Sequence, residues 1–208
     1  VINWMRQQGR TVILVALPVV FQPELRRALE QIGRGRFFRS GQVISMEELE
    51  RLIDEIVAIS ESLSKTHTGA LIGFEREVGL NDYIDTGIAI DGLVSRELLG
   101  NIFIPNTPLH DGAVIIRENR IMAAGCLLPL TSDRSLSTEL GTRHRAAIGI
   151  SELADAVVVV VSEETGSISY TYGGHIYRHL DGNALRNVLK TFLNRTPQGL
   201  ANIFKWRP

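Results

Sequence analysis

Chemistry in this chain concentrates in two short stretches. Residues 107–113 read Thr-Pro-Leu-His-Asp-Gly-Ala, placing His110, Asp111, Gly112 and Ala113 at the head of an apolar run. Residues 141–145 read Gly-Thr-Arg-His-Arg, so that Arg143, His144 and Arg145 stand where a helix is predicted to begin. A carboxylate at the mouth of a buried strand can take a proton from a hydroxyl or bind a divalent cation through oxygen. A glycine beside it lets a ligand come close to the backbone. A helix N-terminus presents free N–H groups and partial positive charge, and two guanidinium groups there can grip phosphate oxygens bidentately. Without an anionic partner such basic residues oppose the helix dipole, which makes their position informative. The two stretches together suit a site that handles a polyphosphate and a hydroxyl nucleophile.

Each feature also has a plainer reading. Asp111 before Gly112 is a common turn arrangement in which the carboxylate bonds its own backbone. Arg143 and Arg145 could form a solvated basic patch paired with Glu139 or Glu152. His110 beside Asp111 offers a metal pair, although a metal-dependent phosphohydrolase needs further His and Asp residues on several helices. Ser162, Glu163 and Glu164 follow the most apolar strand. Ligands of open α/β sheets collect at the carboxyl ends of strands, so Ser162 could bond phosphate and Glu164 could bind metal. An acidic turn is the competing reading. Thr142, Leu127 and Leu128 could line a base pocket or be ordinary loop and core residues.

The elements that must position these residues follow from periodicity. Ser45 and Glu48 have capping-box spacing, and the apolar stripe behind them predicts a helix over 46–64. Residues 69–75 read as a buried strand, 79–85 as a loop, and 87–90 as a short strand. Ser95 caps a short helix over 96–102. Residues 112–117 and 121–128 form a hairpin. Thr142 caps a helix over 143–153. The five valines that end the run 156–161 read as a central strand buried on both faces. Strands follow at 167–172 and 175–180, and Asp181 caps a last helix with Leu185, Val188, Leu189, Phe192 and Leu193 on one face. The pattern is α/β, with a mixed central β-sheet flanked by helices. The hairpins argue against a purely parallel fold. No standard mononucleotide or dinucleotide glycine loop is present.

The chain has 208 residues and a formal net charge of -1, so no global attraction draws a nucleic-acid polymer. The single cysteine, Cys126, lies in an apolar run and reads as a buried, inert thiol. Residues 11–21 are apolar but shorter than the ~20 needed to span a bilayer. They read as the end of a membrane helix, an interfacial segment or a core segment. Arginines at 26, 27, 34, 36 and 39 give the positive-inside pattern of a cytoplasmic flank. The chain begins with Val1 and looks truncated. The expected organisation is a membrane-proximal helical stub and linker over 1–44, a catalytic domain over 45–195 and a tail over 196–208.

With Asp111-Gly112-Ala113 and Arg143-His144-Arg145 both in place, the sequence resembles the diadenylate cyclase family, whose two signatures these are. Residues 107–113, 141–152 and 162–166 also look like the family, and residues 21–30 resemble the junction after the membrane helices of its membrane-anchored bacterial class. The resemblance implies synthesis of cyclic di-AMP from two ATP with release of two pyrophosphates. It implies a homodimer in which each ribose 3′-hydroxyl meets the other subunit's α-phosphate, and a divalent metal, Mn²⁺ or Mg²⁺. Asp111 would activate the hydroxyl, Arg143 and Arg145 would bind phosphates, and Gly112 would give the nucleotide room. Thr142 and Leu128 would contact adenine. Leu127 stands where some relatives carry an aromatic. Ser162 and Glu163 are further substrate contacts, and Asp111, His110 and Glu164 the metal ligands. The family context adds a membrane-anchored regulator, a phosphoglucosamine mutase and a bacterial cell membrane with the catalytic domain on its cytoplasmic side. A silent adenine-nucleotide sensor with the same pocket is the alternative, and it would have no need of Asp111.

Overall fold

The computed structural model describes residues 44–133 and 140–194. The expectations for residues 1–43 and for the tail over 196–208 lie outside the described residues. Helix α1 (Met46–Lys65) starts at the expected capping box: Glu48 N donates to the Ser45 hydroxyl, and Ser45 N donates to the Glu48 carboxylate. The reciprocal bonds satisfy two amides that a helix start leaves open. Its stripe of Leu49, Leu52, Ile53, Ile56, Val57 and Leu63 is buried.

Strands β1 (Ala70–Glu75), β2 (Ile88–Leu93), β3 (Ala113–Arg117), β4 (Arg120–Cys126), β5 (Val157–Val161), β6 (Ile168–Tyr172) and β7 (His175–Leu180) form one sheet in the order β2-β4-β3-β1-β5-β6-β7. The β1–β3 pairing is parallel and the other pairings are antiparallel, giving the expected mixed sheet. β1 and β5 are buried at every position, as central strands covered on both faces must be. Apolar residues of α1, α3 (Arg96–Ile102) and α5 (Gly182–Leu193) pack on one face. Those of α4 (Thr142–Leu153) and the Leu80 region beside α2 (Asn81–Ile84) pack on the other.

Three local expectations are corrected. Residues 79–85 are not all loop, because α2 makes one turn there. Tertiary anchoring drives it: Leu80 is buried, and its amide donates to the buried carboxylate of Glu75. β2 continues past residue 90 to Leu93. As an edge strand with largely exposed side chains, it lacks the apolar signal that betrays a buried one. Thr142 is the first helical residue of α4 and not its cap; Gly141 takes the cap position and supplies no side-chain bond. The first-turn amides of α4 thus have no side-chain cap.

Candidate active site

Strand direction brings the two sequence clusters to one end of the sheet. β3 runs parallel to β1 with Ile72 opposite Val114, and β5 runs antiparallel with Ala70 opposite Val161. The starts of β1 and β3 and the end of β5 therefore coincide. Gly69, Asp111-Gly112 and Ser162–Glu164 adjoin those strand ends. Ala113 lies opposite Cys126, so Leu127 and Leu128 emerge at the same end. β3 and β5 flank β1, which sets their separation at about 10 Å.

The tip of α4 faces the β5–β6 turn across a recess, with Thr142, Arg143 and His144 on one wall and Ser162, Glu163 and Glu164 on the other. Arg143 Nη1 donates to Glu163 Oε2 at 2.7 Å. Of the acidic partners considered for a mere basic patch, Glu152 instead accepts from the Thr131 hydroxyl at 2.7 Å, and Glu139 lies outside the described residues. Glu163 consequently meets a guanidinium, and its carboxylate is the counter-ion of Arg143; the expected substrate contact there would have to open this pair. Arg145 does not line the recess. Two positions along a helix rotate a side chain by about 200°, so Arg143 and Arg145 leave α4 in different directions. Arg145 contributes its backbone carbonyl, which accepts from Thr131 N. His144 is buried, and burial followed by the positive charge of Arg178 holds its imidazole below the ordinary histidine range, with Glu164 opposing.

The Ser162 hydroxyl accepts from Glu164 N and Thr165 N, both at 3.3 Å, and keeps its own proton to donate. The turn is held from outside: the Ser64 hydroxyl donates to Gly166 O at 2.5 Å, and His67 Nδ1 donates to Glu164 O at 3.3 Å. Sequence reading missed both residues, because contacts between the end of α1 and a turn some hundred positions on leave no local pattern.

At the mouth of β3, Asp111 is exposed and Ala113 is fully buried. Gly112 has φ of 127°, and a Cβ there would lie 2.6 Å from the Gly125 carbonyl carbon and 2.8 Å from Cys126 O. This close approach of β4 backbone is a structural reason for glycine here, beside the expected room for a nucleotide. A register shift between Ala113 and Ile115 accompanies this close approach. Leu127 is 68% exposed and donates its amide to the Thr86 hydroxyl, while Leu128 is half-buried against the core. Cys126 is buried as expected, and burial pushes its thiol up to about 11.

The metal expectation is met only in part. Among the described residues no three His, Cys, Asp or Glu side chains are grouped closely enough to hold an ion. His110 and Asp111 sit at the head of β3, whereas Glu164 follows β5, with β1 between. The donor chemistry at β3 still fits a cation that shares its coordination with phosphate oxygens, as Mg²⁺ commonly does. His110 Nδ1 donates to Thr107 O at 2.7 Å, which fixes the tautomer and leaves Nε2 as the lone-pair nitrogen beside an exposed carboxylate.

Comparison with known proteins follows the same lines. The family model DAC, described as DisA bacterial checkpoint controller nucleotide-binding, matches residues 57–176. Cyclic di-AMP synthase CdaA of Bacillus subtilis (strain 168) is 49% identical over 208 residues, 99% of this chain and 76% of that protein. A diadenylate cyclase of Listeria monocytogenes serotype 1/2a (strain 10403S) is 48% identical, with the same coverage of 99% and 76%. The crystal structure of a double cysteine mutant of DacA from Staphylococcus aureus has a TM-score of 0.70 at 48% identity, covering 71% of this chain and 99% of that one.

Proposed function

The chain belongs to the DAC family of diadenylate cyclases, and from that premise we propose how its residues divide the reaction. The activity is cyclic di-AMP synthesis. The observation that carries the residue assignment is the convergence of Asp111, from the head of β3, and Arg143, from the tip of α4, on one end of the sheet. In this reading Asp111 orients the ribose 3′-hydroxyl and takes its proton. The bond that forms joins O3′ to the α-phosphorus of a second ATP, and the bond that breaks releases pyrophosphate. Arg143 exchanges Glu163 for triphosphate oxygens and stabilises charge growing toward the leaving group. The Ser162 hydroxyl donates to phosphate, and Thr142 and Leu128 border the adenine. His144, neutral and buried, supports the α4 tip from within.

A divalent cation, Mn²⁺ or Mg²⁺, would be held by Asp111 and His110 Nε2 together with phosphate oxygens, while Glu164, beyond β1, is left out of its ligand set in this reading. When bound, such an ion supplies Lewis-acid polarisation of the phosphate and lowers the pKa of the attacking hydroxyl. In this reading the recess at the tip of α4 takes the triphosphate of one ATP, while the cyclic product needs two phosphodiester bonds. Catalysis therefore takes two chains face to face. We place the catalytic domain at 45–195, on the cytoplasmic side of a bacterial membrane, with 1–44 as its membrane-proximal part. The arginine-rich flank after residues 11–21 supports this, as does likeness to a hypothetical membrane spanning protein from Bacillus cereus, with TM-score 0.59 at 45% identity over 61% of this chain and 62% of that one. Among the described residues no helix is long and apolar enough to cross a membrane.

Incubation with ATP and Mn²⁺, followed by chromatography, tests the assignment. Asp111→Asn is expected to bind ATP as the parent does and to form no cyclic di-AMP. Cyclisation at the parental rate by that variant would remove Asp111 from its role. A silent sensor is not favoured, since the matched relatives are named as cyclases. A phosphohydrolase would need a richer His and Asp cluster than the described residues contain.

A further inference from the structure

We propose that Gly69 is a positioning residue for the cyclase reaction: its missing side chain is the seat over which the Arg143 guanidinium is held toward the triphosphate. The inference rests on Arg143 binding phosphate. A Cβ at position 69 would stand 2.5 Å from Arg143 Nη1, 2.9 Å from its Cζ and 3.0 Å from Glu163 Oε2. Every one of those atoms belongs to the end of a side chain in the site. The backbone gives no other reason for glycine here, because Gly69 is not in the left-handed region. Gly112 and Gly166 differ: both have positive φ, and both would meet backbone first. Gly69 is buried and directly precedes Ala70, which pairs with Val161 between two fully buried strands. A methyl group placed there cannot yield, so the guanidinium must.

Ordinary contact between heavy atoms needs about 3.5 Å, so an added Cβ displaces the Arg143 head by roughly 1 Å. A misplacement of that size at a phosphate-holding group costs on the order of 100-fold in turnover. Gly69→Ala is therefore expected to lower kcat/KM for ATP by about 10- to 100-fold. It should melt as the parent does, and should weaken a non-hydrolysable ATP analogue while leaving adenosine binding unchanged. In the Arg143→Ala background the same substitution should have no further effect, because its target is gone. Parental kcat/KM in Gly69→Ala overturns the proposal, and so does an additional loss in the double variant. If Gly69→Ala fails to fold, the double variant decides: a folded double variant locates the clash at Arg143, whereas a misfolded one makes Gly69 merely structural. Arg143→Ala with parental activity would instead sink the reading of Arg143 itself, an outcome distinct from failure of Gly69→Ala alone.

Discussion

His144 stands between two arginines in the sequence, and by residue type alone it invites a role in proton transfer. Its burial argues otherwise. Desolvation comes first among the influences on the ring, the charge of Arg178 second, and both favour the neutral form. The sign for stability follows from linkage. Below pH 6.5, the ordinary histidine value, an unfolded chain binds a proton at this position that the folded chain resists. The contribution is fully present above pH 6.5 and is lost as pH falls through the lower folded value. Melting temperature should thus decline on acidification from that point, and His144→Gln should show a shallower decline. Equal slopes for the two proteins would mean that His144 is not the group responsible. The composition around position 144 announced a basic cluster; which way each side chain leaves the helix was set by packing of α4 on the sheet. The place of Asp111 at the head of β3 was legible because its cue is local, an acid and a glycine before an apolar run. Gly69 was not, since its meaning lies in Arg143, far along the chain.

At the level of elements, α4 does more than present Arg143. Gly149 on its inner face is crossed by the segment that carries Leu127 and Leu128: a Cβ there would lie 2.2 Å from Pro129 O and 2.7 Å from Thr131 N. Thr131 adds two ties, its amide to Arg145 O at 3.1 Å and its hydroxyl to Glu152 at 2.7 Å. The proposed adenine wall and the proposed phosphate arm therefore share one helix. Gly149→Ala must push backbone against backbone, and we expect it to lower stability by about 1–3 kcal/mol. A urea midpoint unchanged from the parent would show that the segment can lift away freely. Sequence periodicity gives α1, with its cap and stripe, and the buried valine strand, because each carries its signal within one element. It misses α2 and the outer half of β2. The first is held by Glu75 from another element, and the second is an exposed edge without an apolar face.

Across the whole molecule, the two ends of the sheet have different tasks. Far from the recess, Glu75 at the end of β1 receives two bonds from Arg117 at the end of β3, at 2.8 and 2.7 Å. With the Glu75 side chain fully buried, Arg117→Met strips a guanidinium from an enclosed carboxylate and should cost about 3–5 kcal/mol of stability. The recess end, in the proposed reaction, concerns pairs of molecules. If Asp111 activates the ribose held by its own chain and Arg143 holds that chain's phosphates, two defective chains can complement each other for a single bond. In a mixed dimer of Asp111→Asn and Arg143→Ala, the first chain still presents an activated α-phosphate and the second still presents an activated hydroxyl. One bond forms and the other cannot. Mixing the two variants with ATP and Mn²⁺ should then accumulate linear triphosphorylated diadenosine nucleotide, with cyclic di-AMP far below the parental yield. Neither variant alone should make either product. Abundant cyclic product from the mixture would overturn this division of labour between Asp111 and Arg143.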